Sequence, residues 1–95
     1  MNELPHSGIA RQTDSRHAAV ITSMIADLQR SIQILGIDIH TEEERARVFD
    51  EADPHYPILA TTLRARRDNL IVTVASLRER LRDITAAAPA VSEAA

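Results

Sequence analysis

The sequence predicts an all-α protein, an antiparallel helical hairpin with a short bridging helix, which dimerises into a four-helix bundle. Three observations predict this fold. Apolar residues recur at alternating three- and four-residue steps in two long segments. Gly, Pro and capping residues separate those segments. The chain has 95 residues and 44% hydrophobic residues, which suits one small globular domain.

Helix A is predicted to begin at Asp14 or Ser15, because either side chain can act as an N-cap. Gly36 can adopt the positive φ of a helix C-terminus, and Ile37 could then pack back on Ile32. Helix A should therefore end at about Leu35. Its apolar positions form a heptad seam, the stripe that faces another helix: Ala18, Ile21, Ile25, Leu28, Ile32, Leu35 and Ile39.

Two further helices are predicted after this point. Thr41 and Glu44 have the spacing of a capping box, which predicts a short helix B over residues 42–51. Asp53 then offers an N-cap with Pro54 at the first helical position, so helix C should run from Pro54 to Ile84. Its seam consists of Tyr56, Leu63, Leu70, Leu77 and Ile84, alternating with Ala60, Arg67, Val74 and Leu81.

The two ends of the chain have a different composition. Residues 1–12 mix Pro, Gly and polar residues without a period, and residues 86–95 are Ala-rich with a Pro. The sequence therefore predicts a disordered N-terminal tail over 1–12, a helical domain over 13–85, and a disordered C-terminal tail over 86–95.

Apolar residues outside the seams predict self-association. A helix that is apolar on every side is buried on every side, and one partner helix covers only one stripe. We therefore expect a homodimer whose interface contains Leu70, Ile71, Val72, Val74 and Met24. Two alternatives remain open: helix B or the N-terminal tail could cover this patch in a monomer, and residues 70–74 could form a strand.

The residues that support common catalytic chemistry are largely missing. The chain contains neither Cys nor Lys, and Gly occurs only at positions 8 and 36, which excludes thiolate and lysine chemistry and the usual phosphate-binding loops. No Ser or Thr lies in a nucleophile-elbow motif. The four His residues lack the spacing of a helical zinc site. We expect no cofactor, no metal and no enzymatic activity, with a small all-helical enzyme as a remote alternative.

Charge is segregated along the chain. Residues 42–53 contain six acids and two Arg, a net charge of -4, whereas residues 64–83 contain six Arg and three acids, a net charge of +3. Pairing within the dimer or along helix faces, such as Arg64 with Asp68, is the simpler interpretation. The alternative is a basic stripe that contacts an anion, an acidic protein or a nucleic acid through Arg64, Arg66, Arg67 and Arg78. The overall charge of -3 and the scarcity of aromatic residues argue against nucleic acid.

Two residues of helix C have alternative interpretations. Arg67 interrupts an apolar seam, so it either fixes the register by pairing across an interface or joins Arg64 and Arg66 in an anion pocket near the Asp53–Pro57 segment. Tyr56 is expected to be partly buried, with its hydroxyl bonded to water or to a backbone group.

The expected function follows from the predicted fold. We expect a self-associating helical module with a protein-interaction or regulatory role and an unidentified protein partner. The first twenty residues lack a secretory signal pattern, and no apolar run is long enough for a membrane span. A cytoplasmic location and no membrane partner are therefore expected.

Overall fold

The computed structural model describes residues 3–87, and its side chains from residue 12 to residue 86. The described residues form two helices and no strand. Helix α1 (Glu3–Ala46) and helix α2 (Ile58–Ala87) are joined by a loop of residues 47–57. The prediction of an all-α chain is confirmed. Residues 70–74 lie within α2, so the alternative of a strand there is wrong.

Helix α1 is much longer than the predicted helix A. Its backbone is helical from Glu3, so the start predicted at Asp14 or Ser15 is wrong, and residues 3–12 are helical where an irregular tail was expected. Residues 1 and 2 of that tail, and residues 88–95 of the C-terminal tail, lie outside the described residues. An N-cap residue such as Ser or Asp favours a helix start, but it does not prevent the helix from extending further toward the N-terminus.

Helix α1 also continues through Gly36, where the sequence predicts an end. Gly36 has no positive φ. A glycine inside a helix costs only about 1 kcal/mol. Leu35 and Ile39 are both buried, and ending the helix between them would expose part of this stripe. Burial of the stripe therefore outweighs the helix-ending signal of the glycine.

The bridging helix B is not present. Residues 42–46 are the last turn of α1, and residues 47–57 form a loop with turns. The capping-box prediction is wrong because Thr41 lies inside α1, where its Oγ1 donates to the Ile37 carbonyl oxygen at 3.0 Å. A Thr side chain can make this bond within a helix, so the motif alone does not define a helix start.

The end of α1 has the hydrogen bond of a Schellman motif. Arg47 has a φ of 59°, the left-handed conformation that usually belongs to Gly. The next amide, Val48 N–H, donates to the Glu43 carbonyl oxygen at 3.3 Å. This is the bond from the second residue beyond the helix cap to the third residue before it. The chain therefore leaves α1 at Arg47, eleven positions after Gly36.

Asp53 organises a turn and does not cap α2. Its Oδ1 accepts the backbone N–H of His55 at 2.8 Å, and its carbonyl oxygen accepts the N–H of Tyr56 at 3.0 Å. The first bond of the second helix is made by Thr61 N–H to the Pro57 carbonyl oxygen. Helix α2 therefore starts at Ile58, four residues after the predicted start at Pro54.

The helices divide into two compact units, and each buries its own part of the seams. In the unit Asp27–Val74, the buried apolar residues are Leu35, Ile39, Tyr56, Ala60 and Val74. In the other unit, which takes α1 up to Ala26 and α2 from Ala75, Ile21 and Ile25 are buried. Every other predicted seam residue is half-buried, so both heptad patterns are confirmed.

No described helix has an apolar stretch long enough to cross a lipid bilayer.

Candidate functional site

The apolar residues predicted to form a dimer interface differ in exposure. Within the unit Asp27–Val74, Val72 is 65% exposed and Ile71 is 47% exposed, whereas Leu70 is half-buried. Val74 is only 4% exposed, so it offers almost no surface to a second chain. Met24 belongs to the other unit and is 45% exposed. Ile71 and Val72 therefore form the part of the predicted interface that α2 leaves open.

No segment of the described chain covers this patch. The alternative in which helix B shelters Ile71 and Val72 is not supported, because helix B does not form and both side chains are exposed. Other large apolar side chains of the same unit are exposed as well, namely Ile34, Ile37, Phe49, Ile58 and Leu59. Neighbouring exposed apolar residues on a helix are typical of surfaces that bind another protein.

A polar cluster joins the loop to both helices. Tyr56 Oη donates to Glu43 Oε2 at 2.7 Å, and Arg64 Nε donates to Tyr56 Oη at 2.7 Å. Arg64 Nη2 donates to the same Glu43 Oε2 at 2.9 Å, which closes a ring of three hydrogen bonds. Arg64 Nη1 also pairs with Glu51 Oε2 at 3.1 Å. We call Glu43, Glu51, Tyr56 and Arg64 the loop cluster.

The loop cluster keeps its groups in their ordinary charge states. Hydrogen bonds from Tyr56 and then Arg64 hold the pKa of Glu43 below its ordinary value of 4.5. Burial raises the pKa of Tyr56 above its ordinary value of 10.0. The hydrogen bonds to Tyr56 and Glu43 raise the pKa of Arg64. At neutral pH the ring of three hydrogen bonds therefore joins the Glu43 carboxylate, the neutral Tyr56 phenol and the Arg64 guanidinium.

The four arginines predicted to contact an anion or a partner differ in exposure and in bonding. Each of the three nitrogens of Arg64 bonds within the loop cluster, so this residue pairs with α1 and the loop and not with Asp68. Arg66 and Arg78 are exposed. Arg67 is half-buried, and its Nε is buried without a hydrogen-bond partner. Arg64 is therefore already bonded within the chain, and an anion or partner contact of these arginines stays a prediction.

The position of Tyr56 was predicted, but its partners were not. Tyr56 is buried, and its hydroxyl bonds to two side chains where water or a backbone group was expected. Glu43 is a buried carboxylate in the segment for which the sequence predicts the short helix B. One signal could have found it: in a continuous helix, Glu43 follows Ile32, Leu35 and Ile39 on the buried stripe.

Two of the histidines, His40 and His55, each lie near one carboxylate. His40 Nε2 is 3.5 Å from Glu44 Oε1, and His55 Nδ1 is 3.2 Å from Asp53 Oδ1. In the described part of the chain, no group of three or more His, Asp or Glu side chains is arranged to hold a metal ion.

Comparisons with protein families, curated proteins and solved structures found no match for this chain.

Proposed function

We propose that this chain self-associates through the exposed face of α2 around Ile71 and Val72, and that the dimer serves as a helical protein-interaction or regulatory module. The observation that carries the proposal is the exposure of these two adjacent side chains in a single chain. A second copy is the most economical cover, since the same patch on each subunit can meet across a two-fold axis.

The free energy gained by burying Ile71 and Val72 is too small for a dimer, so the interface must be larger than these two residues. Fully burying a Val or Ile side chain stabilises by about 1.5–3 kcal/mol, and roughly half of each side chain is still exposed. Two copies of the pair would contribute about 4 kcal/mol, which is at the lower limit of the cost of association. The proposed interface therefore includes further exposed apolar residues, and Ile34 and Ile37 of the same unit are available.

The test is the mass in solution. Sedimentation equilibrium of the full chain should give a mass of two 10.5 kDa subunits, with partial dissociation at about micromolar concentrations. Ile71→Glu should give a monomer at the same concentrations, because a charge would be buried in the contact. Thr73→Glu is the matched control: Thr73 is exposed on a different side of the same helical turn, so this variant should keep the mass of the unmodified chain.

A monomeric unmodified chain at the highest soluble concentration would contradict self-association. Equal masses for Ile71→Glu, Thr73→Glu and the unmodified chain would place the contact elsewhere.

A gel-shift experiment with mixed RNA and DNA separates this proposal from nucleic-acid binding. We expect no shift at low salt for two reasons. All three side-chain nitrogens of Arg64 are already bonded within the chain, and the net charge of the chain is -3. A shift that weakens steeply with salt would favour the nucleic-acid alternative.

A further inference from the structure

The loop cluster supplies the side-chain bonds that hold the loop to the helices. Asp50 Oδ1 accepts Ala52 N–H, and Asp53 Oδ1 accepts His55 N–H, so these bonds stay inside the loop. Among the described residues, Thr61 Oγ1 of α2 donates to the Pro57 carbonyl oxygen at 3.5 Å, and the loop side chains that bond to a helix are those of Tyr56 and Glu51. Each of these two side chains bonds to Glu43 or to Arg64.

Glu43 is the shared acceptor of this arrangement. One oxygen, Oε2, accepts both Tyr56 Oη and Arg64 Nη2, and this residue is only 7% exposed. A carboxylate can accept both bonds and balance the guanidinium charge. A protonated carboxyl group has lost its charge and has become a donor at one oxygen. Protonation of Glu43 therefore removes the buried counter-charge of Arg64 and leaves only the exposed carboxylate of Glu51 beside it.

We propose that the loop cluster is an acid-sensitive latch: when Glu43 takes up a proton from solvent, the loop of residues 47–57 separates from the helices, while α1 and α2 remain helical. The half-buried guanidinium of Arg64 then moves into water, and Tyr56 loses its carboxylate partner. The helices are retained because their backbone bonds, and the buried apolar residues that lie within α1 and α2, do not bond to the Glu43 side chain.

The charged groups around Glu43 come from each element of this region. His40 lies on α1 and attracts the carboxylate when it is protonated, Arg64 lies on α2, and Tyr56 and Glu51 lie in the loop. Because the pKa of Glu43 is lowered in the folded chain, the latch is fully closed above the ordinary value of 4.5. It opens as the pH falls through the lower folded value. Glu51 is exposed, so its pair with Arg64 is screened by solvent and contributes little to holding the loop.

The composition of the chain provides a local probe. Tyr56 is the single Tyr, and there is no Trp, so intrinsic tyrosine fluorescence reports on the loop cluster alone. A phenol that donates to a carboxylate emits weakly, because the carboxylate accepts its proton in the excited state. Fluorescence and far-UV circular dichroism of the full chain should be followed between about pH 7 and about pH 3. We expect a rise in emission below pH 4.5 without a matching loss of helical signal.

Two variants make the assignment specific. Glu43→Gln replaces the carboxylate by a neutral amide, so its emission should be high already at neutral pH and should show no acid step. Glu44→Gln is the matched control, because Glu44 is the exposed neighbour that faces His40, and its acid step should remain.

A fluorescence step that coincides with loss of the helical signal would overturn the proposal, as would a step that persists in Glu43→Gln. Amide hydrogen exchange of the unmodified chain provides a second test that needs no variant. On acidification, exchange in residues 49–56, corrected for the intrinsic pH dependence, should accelerate before exchange in α1 and α2. Uniform acceleration of the loop and both helices would contradict the latch.

Discussion

Gly36 shows how a single residue can carry a misleading signal. Glycine is common just beyond helix ends, yet Gly36 has ordinary helical geometry, and nothing would lie within 4 Å of a Cβ atom added there. The local preference of one glycine is about 1 kcal/mol, which is less than burying Ile39 contributes. The local sequence around Gly36 therefore favours a helix end, and burial of the neighbouring apolar side chains outweighs that preference.

Replacing Gly36 by alanine tests directly whether residue 36 lies inside a helix. Gly36→Ala should stabilise the chain by about 1 kcal/mol, since alanine loses less backbone entropy in a helix and meets no neighbouring atom. The thermal midpoint, followed by circular dichroism, should rise by about 4–8 °C.

Ala26→Gly is the matched reverse change, at an exposed position inside α1, and should lower the midpoint by a similar amount. If Gly36→Ala destabilised the chain, residue 36 would have to leave the helical conformation, as the helix-end prediction requires.

The loop cluster marks the limit of prediction at the residue scale. Tyr56 and Arg64 were both singled out from the sequence, but Glu43 and Arg64 are 21 positions apart, and their meeting depends on where α1 and α2 end. With a bridging helix over 42–51, Glu43 belonged to the first turn of that helix and not to the end of α1. The correct helix ends bring the three side chains together, and no local pattern contains that information.

At the scale of whole elements, the heptad pattern was the reliable signal, and the capping signals were not. Each seam residue predicted for the two long helices is buried or half-buried. A seam combines many side chains, each contributing about 1–3 kcal/mol when buried, whereas a cap contributes about 1 kcal/mol. The positions of helix faces could therefore be predicted from sequence, and the helix ends could not.

The observed end of α1, at Arg47, allows the contribution of a helix cap to be measured. Arg47 adopts a left-handed conformation that costs a non-glycine residue about 1–2 kcal/mol, and glycine avoids that strain at an entropic cost of about 0.5–1 kcal/mol. Arg47→Gly should therefore stabilise the chain by about 0.5–1 kcal/mol, measured as an increased urea midpoint with an unchanged slope.

Arg45→Gly provides the control, because Arg45 lies in the last turn of α1 and its Nη1 donates to Glu42 Oε2. This substitution should destabilise the chain by about 1 kcal/mol. Equal losses of stability in both variants would show that residue 47 has no need of a left-handed conformation.

At the scale of the whole molecule, the chain covers its apolar residues incompletely. No large side chain among the described residues is completely buried, and nine large apolar side chains are exposed: Val20, Met24, Ile34, Ile37, Phe49, Ile58, Leu59, Ile71 and Val72. A chain of this length has little interior to bury them in. Exposure of this kind is the physical reason to expect a second copy, and the sequence indicated it through apolar residues outside the seams.

Self-association should make stability depend on protein concentration. If the folded chains are dimers and the unfolded chains are monomers, mass action raises the thermal midpoint as the concentration increases. We expect a rise of about 5 °C over a concentration range of about a hundred-fold. Circular dichroism melts of the unmodified chain and of Ile71→Glu would measure this. The variant should melt at one temperature throughout, because its folded form has no partner to gain, and a flat profile for the unmodified chain would contradict a dimer that is coupled to folding.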